Sequence, residues 1–152
     1  MTTSAADEIN ILENAKRVLA PDYVPSDDEE YMNETQQTYF RMLLIEWKRS
    51  IHTAAGQTLQ SLQDGPIREP DLNDRASSET DWGIELRTRD RQRKLISKID
   101  AALRRLDEGD YGYCQVTGDP IGLKRLIARP VATMTVEAQE AHERRERVSR
   151  DQ

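Results

Sequence analysis

Two long stretches with a heptad-like pattern constrain the fold of this chain most strongly. The first begins near Asn33, and its recurring positions, spaced alternately by four and three, are Phe40, Leu44, Trp47, Ile51, Ala54 and Thr58. Such a pattern predicts a helix that packs along a partner helix. The pattern continues until Asp64-Gly65-Pro66, where glycine and proline end it. At about 1.5 Å per residue, this helix would be about 45 Å long.

The second stretch follows a break at residues 65–74 and predicts a helix from Asp74 or Ala76 to about Leu106. Its seam consists of Trp82, Leu86, Arg89, Arg93, Ile96, Ile99, Leu103 and Leu106. The methylene stems of the two arginines would lie along the seam, with their charged heads in water. Two long helices joined by about ten residues fold back as an antiparallel hairpin, because each supplies the apolar stripe that the other lacks.

Shorter segments flank the expected hairpin. The pattern predicts an N-terminal helix over Asp7–Leu19, an acidic, solvated linker over Ser26–Glu30, and a charged last helix over Thr135–Arg150. We therefore expect an all-α protein: a long antiparallel coiled-coil hairpin with an N-terminal helix, a small knuckle and a C-terminal helix. The expected segments are 1–32 for the helix and linker, 33–108 for the hairpin with its tip at 65–76, 109–134 for the knuckle, and 135–152 for the last helix.

Composition narrows the possible functions. The chain has 152 residues and a formal net charge of -6, which argues against general binding to duplex DNA. It has no run of about 18 apolar residues that would span a membrane, and its first residues lack the features of a signal peptide. Its single cysteine cannot form an internal disulfide. These features predict a cytoplasmic protein without a membrane segment.

Side chains suited to catalysis are scarce. His52 and His142 fall in separate predicted helices, and no Gly-rich phosphate loop or nucleophile elbow is present, so we expect no enzyme. The predicted tip carries Asp71 and Asp74. Asp74 is suited to capping the second helix, but a stiff rod with acids at its end is also suited to delivering negative charge into a deep cavity. The second helix is basic, which suits an anionic partner or a salt-bridged, solvated face.

Several motifs together resemble the DksA/TraR family of transcription factors that bind RNA polymerase. The resemblance covers about Glu29 to Glu146. The motifs that carry it are Glu30-Tyr-Met-Asn-Glu34, Asp74-Arg-Ala76, Glu85-Leu-Arg-Thr-Arg-Asp-Arg91, Arg93-Lys-Leu-Ile96, Tyr111-Gly-Tyr-Cys114 and Ile121-Gly-Leu-Lys-Arg-Leu-Ile-Ala-Arg-Pro130.

The resemblance implies that the hairpin enters the secondary channel of RNA polymerase and alters the stability of promoter complexes. Asp71, Asp74 and Ala76 match the family's tip residues, which lie near the active site of the polymerase. Lys98 and Arg129 match basic residues that help to hold the alarmone ppGpp, whereas a third basic position of that set is Gln139 here. The implied effects are inhibition of stable-RNA promoters and activation of amino-acid biosynthesis promoters.

The family typically carries a four-cysteine zinc site in its knuckle. The matching positions here are Cys114, Thr117, Thr135 and Ala138, which cannot form the closed four-ligand shell of structural zinc. We therefore predict a metal-free, degenerate zinc-finger-like knuckle with hydroxyl hydrogen bonds in place of metal bonds. Its expected apolar core is Tyr111, Tyr113, Val116, Ile121, Leu123, Leu126, Ile127, Val131 and Met134. Cys114 would be a packed, inert thiol or, alternatively, a redox sensor that uses an external thiol.

Two other functions fit the residues. A transcript-cleavage factor of the Gre type uses a similar rod with acidic tip residues, which would position a metal and activate water. The third possible function is a coiled-coil adaptor unrelated to transcription, because a heptad pattern alone does not identify the binding partner. We expect a monomer in each case, since the hairpin covers its own seam.

Overall fold

The computed structural model describes residues 4–64 and 72–150, with the side chains of residues 4–57 and 79–150. Within these ranges the chain forms five helices: α1 (Ala5–Val18), α2 (Glu34–Asp64), α3 (Leu72–Glu108), α4 (Leu123–Ala128) and α5 (Val136–Arg150). The extended pairing in the same ranges is limited to one isolated antiparallel bridge, between Tyr113 and Pro120. The protein is all-α, which confirms the predicted fold class. None of the described helices carries an apolar stretch that could cross a bilayer.

Capping residues fix the starts of three helices. Ser4 forms a capping box with Asp7 ahead of α1, which therefore begins two residues earlier than predicted. Asn33 Oδ1 accepts the backbone N–H of Gln36 at 2.8 Å and so caps α2, which confirms the predicted start of this helix near Asn33. Thr135 Oγ1 likewise accepts the N–H of Ala138 at 3.1 Å before α5. These bonds satisfy backbone donors that the first turn of a helix leaves without partners.

The start of α3 corrects one prediction. The helix already includes Leu72, so Asp74 lies inside its first turn and does not cap it from outside. A carboxylate in the first turn still stabilises a helix through the macrodipole, which explains why the residue type is favourable there. Residues 65–71 of the predicted tip lie outside the described residues, as do the side chains of Asp74 and Ala76.

The helices divide into two compact units. The first unit contains Met1–Ile45 and Asp100–Gln152. Within it, the guanidinium of Arg41 on α2 pairs with the carboxylate of Asp107 on α3, so the start of α2 lies beside the end of α3, as the predicted antiparallel pairing requires. Its core includes Phe40, Leu44, Ile45, Leu103, Leu106, Tyr111, Ile121, Leu123, Leu126 and Val131, all buried.

The second unit, Glu46–Ile99, contains the rest of α2 and the start of α3. Here the predicted seam of α3 is partly wrong. Leu86 and Arg93 are exposed, whereas Glu85, Thr88 and Gln92 are half-buried. The inward column of α3 thus contains Gln92, Ile99 and Leu106, which follow each other at intervals of seven. The error arose because the sequence offers an apolar residue at 86 that the actual heptad phase turns toward solvent.

Candidate functional site

The backbone of the knuckle, residues 109–134, turns sharply at several glycines. Gly112, Gly118 and Gly122 have φ angles of 93°, 78° and 102°, which favour glycine because a Cβ is strained there. Hydrogen bonds close the turns. The N–H of Gly118 donates to the carbonyl of Cys114 at 2.9 Å, and the N–H of Cys114 donates to that of Asp119 at 2.8 Å. These two bonds close a tight turn at Gly118-Asp119-Pro120.

Cys114 lies at the centre of this turn and is only 3% exposed. Burial by itself raises the pKa of its thiol. Hydrogen bonds from the hydroxyl of Thr117 and from the backbone N–H groups of Thr135, Thr117 and Val116 oppose burial, and the pKa falls from 9.0 to about 6. Donors that point at sulfur stabilise the thiolate over the thiol. Cys114 is therefore packed, as expected, in a site whose hydrogen-bond donors favour its thiolate over its thiol.

The hydroxyl groups at two of the four zinc positions already have partners. Thr117 Oγ1 accepts the N–H of Asp119 at 3.2 Å. Thr135 Oγ1 caps α5, and the methyl group of Ala138 is buried. One sulfur, two neutral hydroxyls and a methyl do not make a structural zinc site, which needs four thiolate or imidazole ligands. Over the described part of the chain, no three His, Cys, Asp or Glu side chains cluster so as to hold a metal.

Part of the knuckle's predicted core is wrong. Val116 is 60% exposed, and Tyr113 and Ile127 also lie at the surface. Cys114, Pro130 and Ala132 are buried instead. The short helix α4, which was not predicted, turns Leu123 and Leu126 inward and leaves Ile127 at the surface. Their spacing of three, with Pro130 after the helix, was the available signal.

Hydrogen bonds from outside the knuckle hold it within the first unit. The hydroxyl of Tyr31 donates to the carbonyl of Gly112 at 2.6 Å and accepts the N–H of Gly122 at 3.1 Å. Arg105 on α3 donates to the carbonyls of Asp110 and Tyr113, at 3.2 and 2.6 Å. These bonds satisfy backbone groups of the knuckle with side chains from the linker and from α3.

The linker before α2 carries structural residues that the sequence analysis treated as a solvated spacer. Glu29 accepts the hydroxyl of Tyr23 and the N–H of Ser26. Met32 has a φ of 55°, and its N–H donates to the side chain of Gln36 at 2.8 Å. Gln36 is fully buried. The interpretation of this segment as a solvated spacer is therefore wrong for Glu29. The burial of Gln36 could not be predicted, because a polar residue does not contribute to a pattern of apolar positions.

The basic residues of α3 form an ordered surface in the second unit. Arg87, Arg91, Lys94 and Lys98 are all exposed and follow each other at helical spacings, so they share one face. Arg129 is exposed at the end of α4 in the first unit, and Gln139 donates to Glu143 along α5 at 3.1 Å. The residues predicted to bind ppGpp, Lys98 and Arg129, are thus both open to solvent within their own units.

Metal analysis tests the knuckle directly. We expect the purified protein to contain far less than one zinc per chain by elemental mass spectrometry, because its ligand positions lack thiolates. The control is the triple variant Thr117→Cys, Thr135→Cys and Ala138→Cys, which restores four thiolates and is expected to bind about one zinc. A stoichiometry near one zinc in the unaltered chain would contradict the metal-free knuckle.

Comparison with known proteins agrees with this architecture. Residues 36–106 match the family described as "DnaK suppressor protein DksA, N-terminal domain", and residues 109–144 match "Prokaryotic dksA/traR C4-type zinc finger". The chain is 62% identical over 130 residues to the "RNA polymerase-binding transcription factor DksA" of Caulobacter vibrioides, covering 86% of this chain and 92% of that one. It is 40% identical to the Escherichia coli K12 protein of the same name, covering 82% and 83%.

A solved structure is also similar. It is "Structure of transcription factor DksA2 from Pseudomonas aeruginosa", with a TM-score of 0.70, 45% identity, and coverage of 81% of this chain and 93% of that chain. The similarity therefore extends over both long helices and the knuckle, even though three of the four zinc positions differ from cysteine. Sequence and structure together show that this chain belongs to the DksA family.

Proposed function

We propose that this protein is a non-enzymatic regulator of transcription initiation that binds RNA polymerase. The observation that carries the proposal is the 62% identity, over 86% of the chain, to a relative whose name states that it binds RNA polymerase. Identity of this extent over nearly the whole length supports a shared binding mode as well as a shared fold. The antiparallel pairing of α2 and α3 and the exposed basic face of α3 support it, because that face suits an acidic protein surface.

In the proposed mechanism, the α2–α3 hairpin enters the secondary channel and brings Asp71, Asp74 and Ala76 near the active site. Negative charge placed there would destabilise promoter open complexes, because it acts on the cationic, metal-containing centre. Lys98 and Arg129 would bind phosphate groups of ppGpp at the polymerase interface. No step requires the knuckle to carry a metal, and the protein acts as a monomer without contacting DNA.

The tip is tested by the substitution Asp74→Asn, which removes one charge and keeps the shape of the side chain. We expect the wild type to shorten the lifetime of open complexes at a stable-RNA promoter. In the variant, this shortening is expected to be at least about ten-fold smaller. Open-complex lifetime would be measured by in vitro transcription, with and without ppGpp. Polymerase affinity is measured in parallel and is expected to stay close to that of the wild type.

The matched control is Asp81→Asn, which removes an exposed carboxylate from the same helix. It is expected to leave open-complex lifetime unchanged. Equal losses in both variants would contradict a specific role of the tip. Rapid release of short RNA 3′ fragments from backtracked complexes would instead identify a cleavage factor, and failure of the wild type to bind the polymerase would support an unrelated adaptor.

A further inference from the structure

Few of the described side chains in the second unit are fully buried. Among its described side chains, those of residues 46–57 and 79–99, the buried ones are Lys48, Ile51 and Ile99. Large apolar residues that the sequence provides, Ile84 and Leu86, are instead 46% and 41% exposed. Apolar burial is the main favourable contribution to helix pairing in water, and the described side chains of α3 from Ile84 to Gln92 contribute little of it.

Polar residues occupy the inward positions of α3 in this unit. The column that contains Ile99 continues toward the start of the helix with Gln92 and then Glu85, at intervals of seven. Thr88 lies between them and turns its hydroxyl back to its own helix, where it donates to the carbonyl of Ile84 at 3.0 Å. The inward face of these turns therefore gains little from burial and must satisfy its polar groups locally.

Gln92 leaves one polar atom unsatisfied. Its side-chain oxygen Oε1 is buried and has no hydrogen-bond partner in the described part of the chain. A buried acceptor without a partner loses the hydrogen bonds that water gave it in the open state. Any separation of α3 from its neighbours at this position would therefore hydrate Oε1 and be favoured by that hydration.

We propose that Gln92 is a built-in weak point at which the second unit opens locally while the first unit remains folded. The turns of α3 that include Glu85, Thr88 and Gln92 are in equilibrium between a packed form and an open form in which the amide oxygen is hydrated. Polar residues in a helix seam lower stability in this way. Gln92 lies inside a helix of 37 residues, and it is not a helix-breaking residue. The sequence alone therefore does not predict an opening at this position.

The use of this opening rests on the proposed function. The turns around Gln92 lie between the part of α3 that belongs to the first unit and the start of the helix, which includes Asp74. A hairpin that opens there can change the position of its acidic end without undocking from the polymerase. The opening itself is a property of the free protein, so it can be tested without polymerase. A free protein that does not open at Gln92 would contradict the weak point alone, whereas a protein that does not bind RNA polymerase would contradict the proposed function alone.

Hydrogen–deuterium exchange of the full chain tests the weak point. In the wild type, amides of α3 from Glu85 to Gln92 are expected to exchange at least about ten-fold faster than those from Ile99 to Leu106, at rates insensitive to low denaturant. The substitution Gln92→Leu removes the unsatisfied oxygen and adds apolar contact. It is expected to slow exchange in the first segment by about ten-fold and to leave the second unchanged.

The matched control is Gln57→Leu, since Gln57 is an exposed glutamine of the same unit. It is expected to leave both segments as they are in the wild type. Exchange that is unchanged or faster in Gln92→Leu would overturn the proposal, as would wild-type segments that exchange together. Light scattering completes the experiment: a monomeric Gln92→Leu is expected, whereas a dimer would show that Gln92 instead prevents self-association.

Discussion

Replacing Gly112 with alanine is expected to lower the free energy of unfolding by about 3 kcal/mol, because two penalties add. The first is the backbone, whose φ of 93° is unfavourable for any residue with a Cβ. The second is space. A Cβ at this position would lie 2.9 Å from Met32 Cγ and 3.1 Å from the hydroxyl oxygen of Tyr31. The new methyl group would thus displace the linker and strain the hydrogen bond from Tyr31 to the carbonyl of Gly112.

Chemical denaturation of the two alanine variants Gly112→Ala and Gly118→Ala separates these penalties. Gly118 has a φ of 78°, but nothing lies within 4 Å of the position of its Cβ. Its substitution is expected to cost about 1 kcal/mol, the backbone penalty alone. Equal losses of unfolding free energy in the two variants would show that Met32 and Tyr31 move aside without cost. The contact between linker and knuckle would then contribute little to stability.

The stability of the protein is expected to fall as pH is lowered from 9 to 6, through the titration of Cys114. The pKa of this thiol is near 9.0 in the unfolded chain and about 6 in the folded protein. A group with a lowered pKa binds fewer protons when folded, so its contribution is complete above pH 9 and is lost as pH falls toward 6. The fall in pKa limits this contribution to about 4 kcal/mol.

Substitution of Cys114 by serine isolates this contribution from other titrating groups. Serine keeps the shape of the site and an acceptor for the hydroxyl and N–H donors, but it does not ionise in this range. Denaturation curves between pH 5 and 9 would give the difference in unfolding free energy between wild type and variant. We expect the difference to grow with pH and to level off near pH 9. A difference that is constant across this range would contradict a thiolate at the centre of the knuckle.

The long helices could be predicted because their signals are local and redundant. Asn33 provides a cap for α2, the 4-3 spacing marks its face, and Gly65-Pro66 ends the pattern. The same holds for Thr135 ahead of α5. Each of these signals depends on the backbone geometry of the helix itself. It therefore does not depend on which other segments the helix packs against.

The heptad phase of α3 and the core of the knuckle could not be predicted in the same way. Leu86 fits an apolar heptad pattern and Gln92 does not, yet Leu86 is exposed and Gln92 is half-buried. Packing against the partner helix decides which of the two faces inward. In the knuckle, Val116 is apolar but exposed, while Cys114 and the neighbouring backbone occupy the interior. Burial at these positions is set by contacts between segments far apart in sequence, which composition and periodicity do not encode.

The bonds of Tyr31 also bear on the order in which the chain folds. They join residues 81 and 91 positions apart, so closing that loop in an unfolded chain carries a large loss of chain entropy. Prior pairing of α2 with α3 would shorten the effective loop, because it brings Arg41 next to Asp107. Nucleation is then expected along the two helices, with docking of the linker onto the knuckle among the last events of folding.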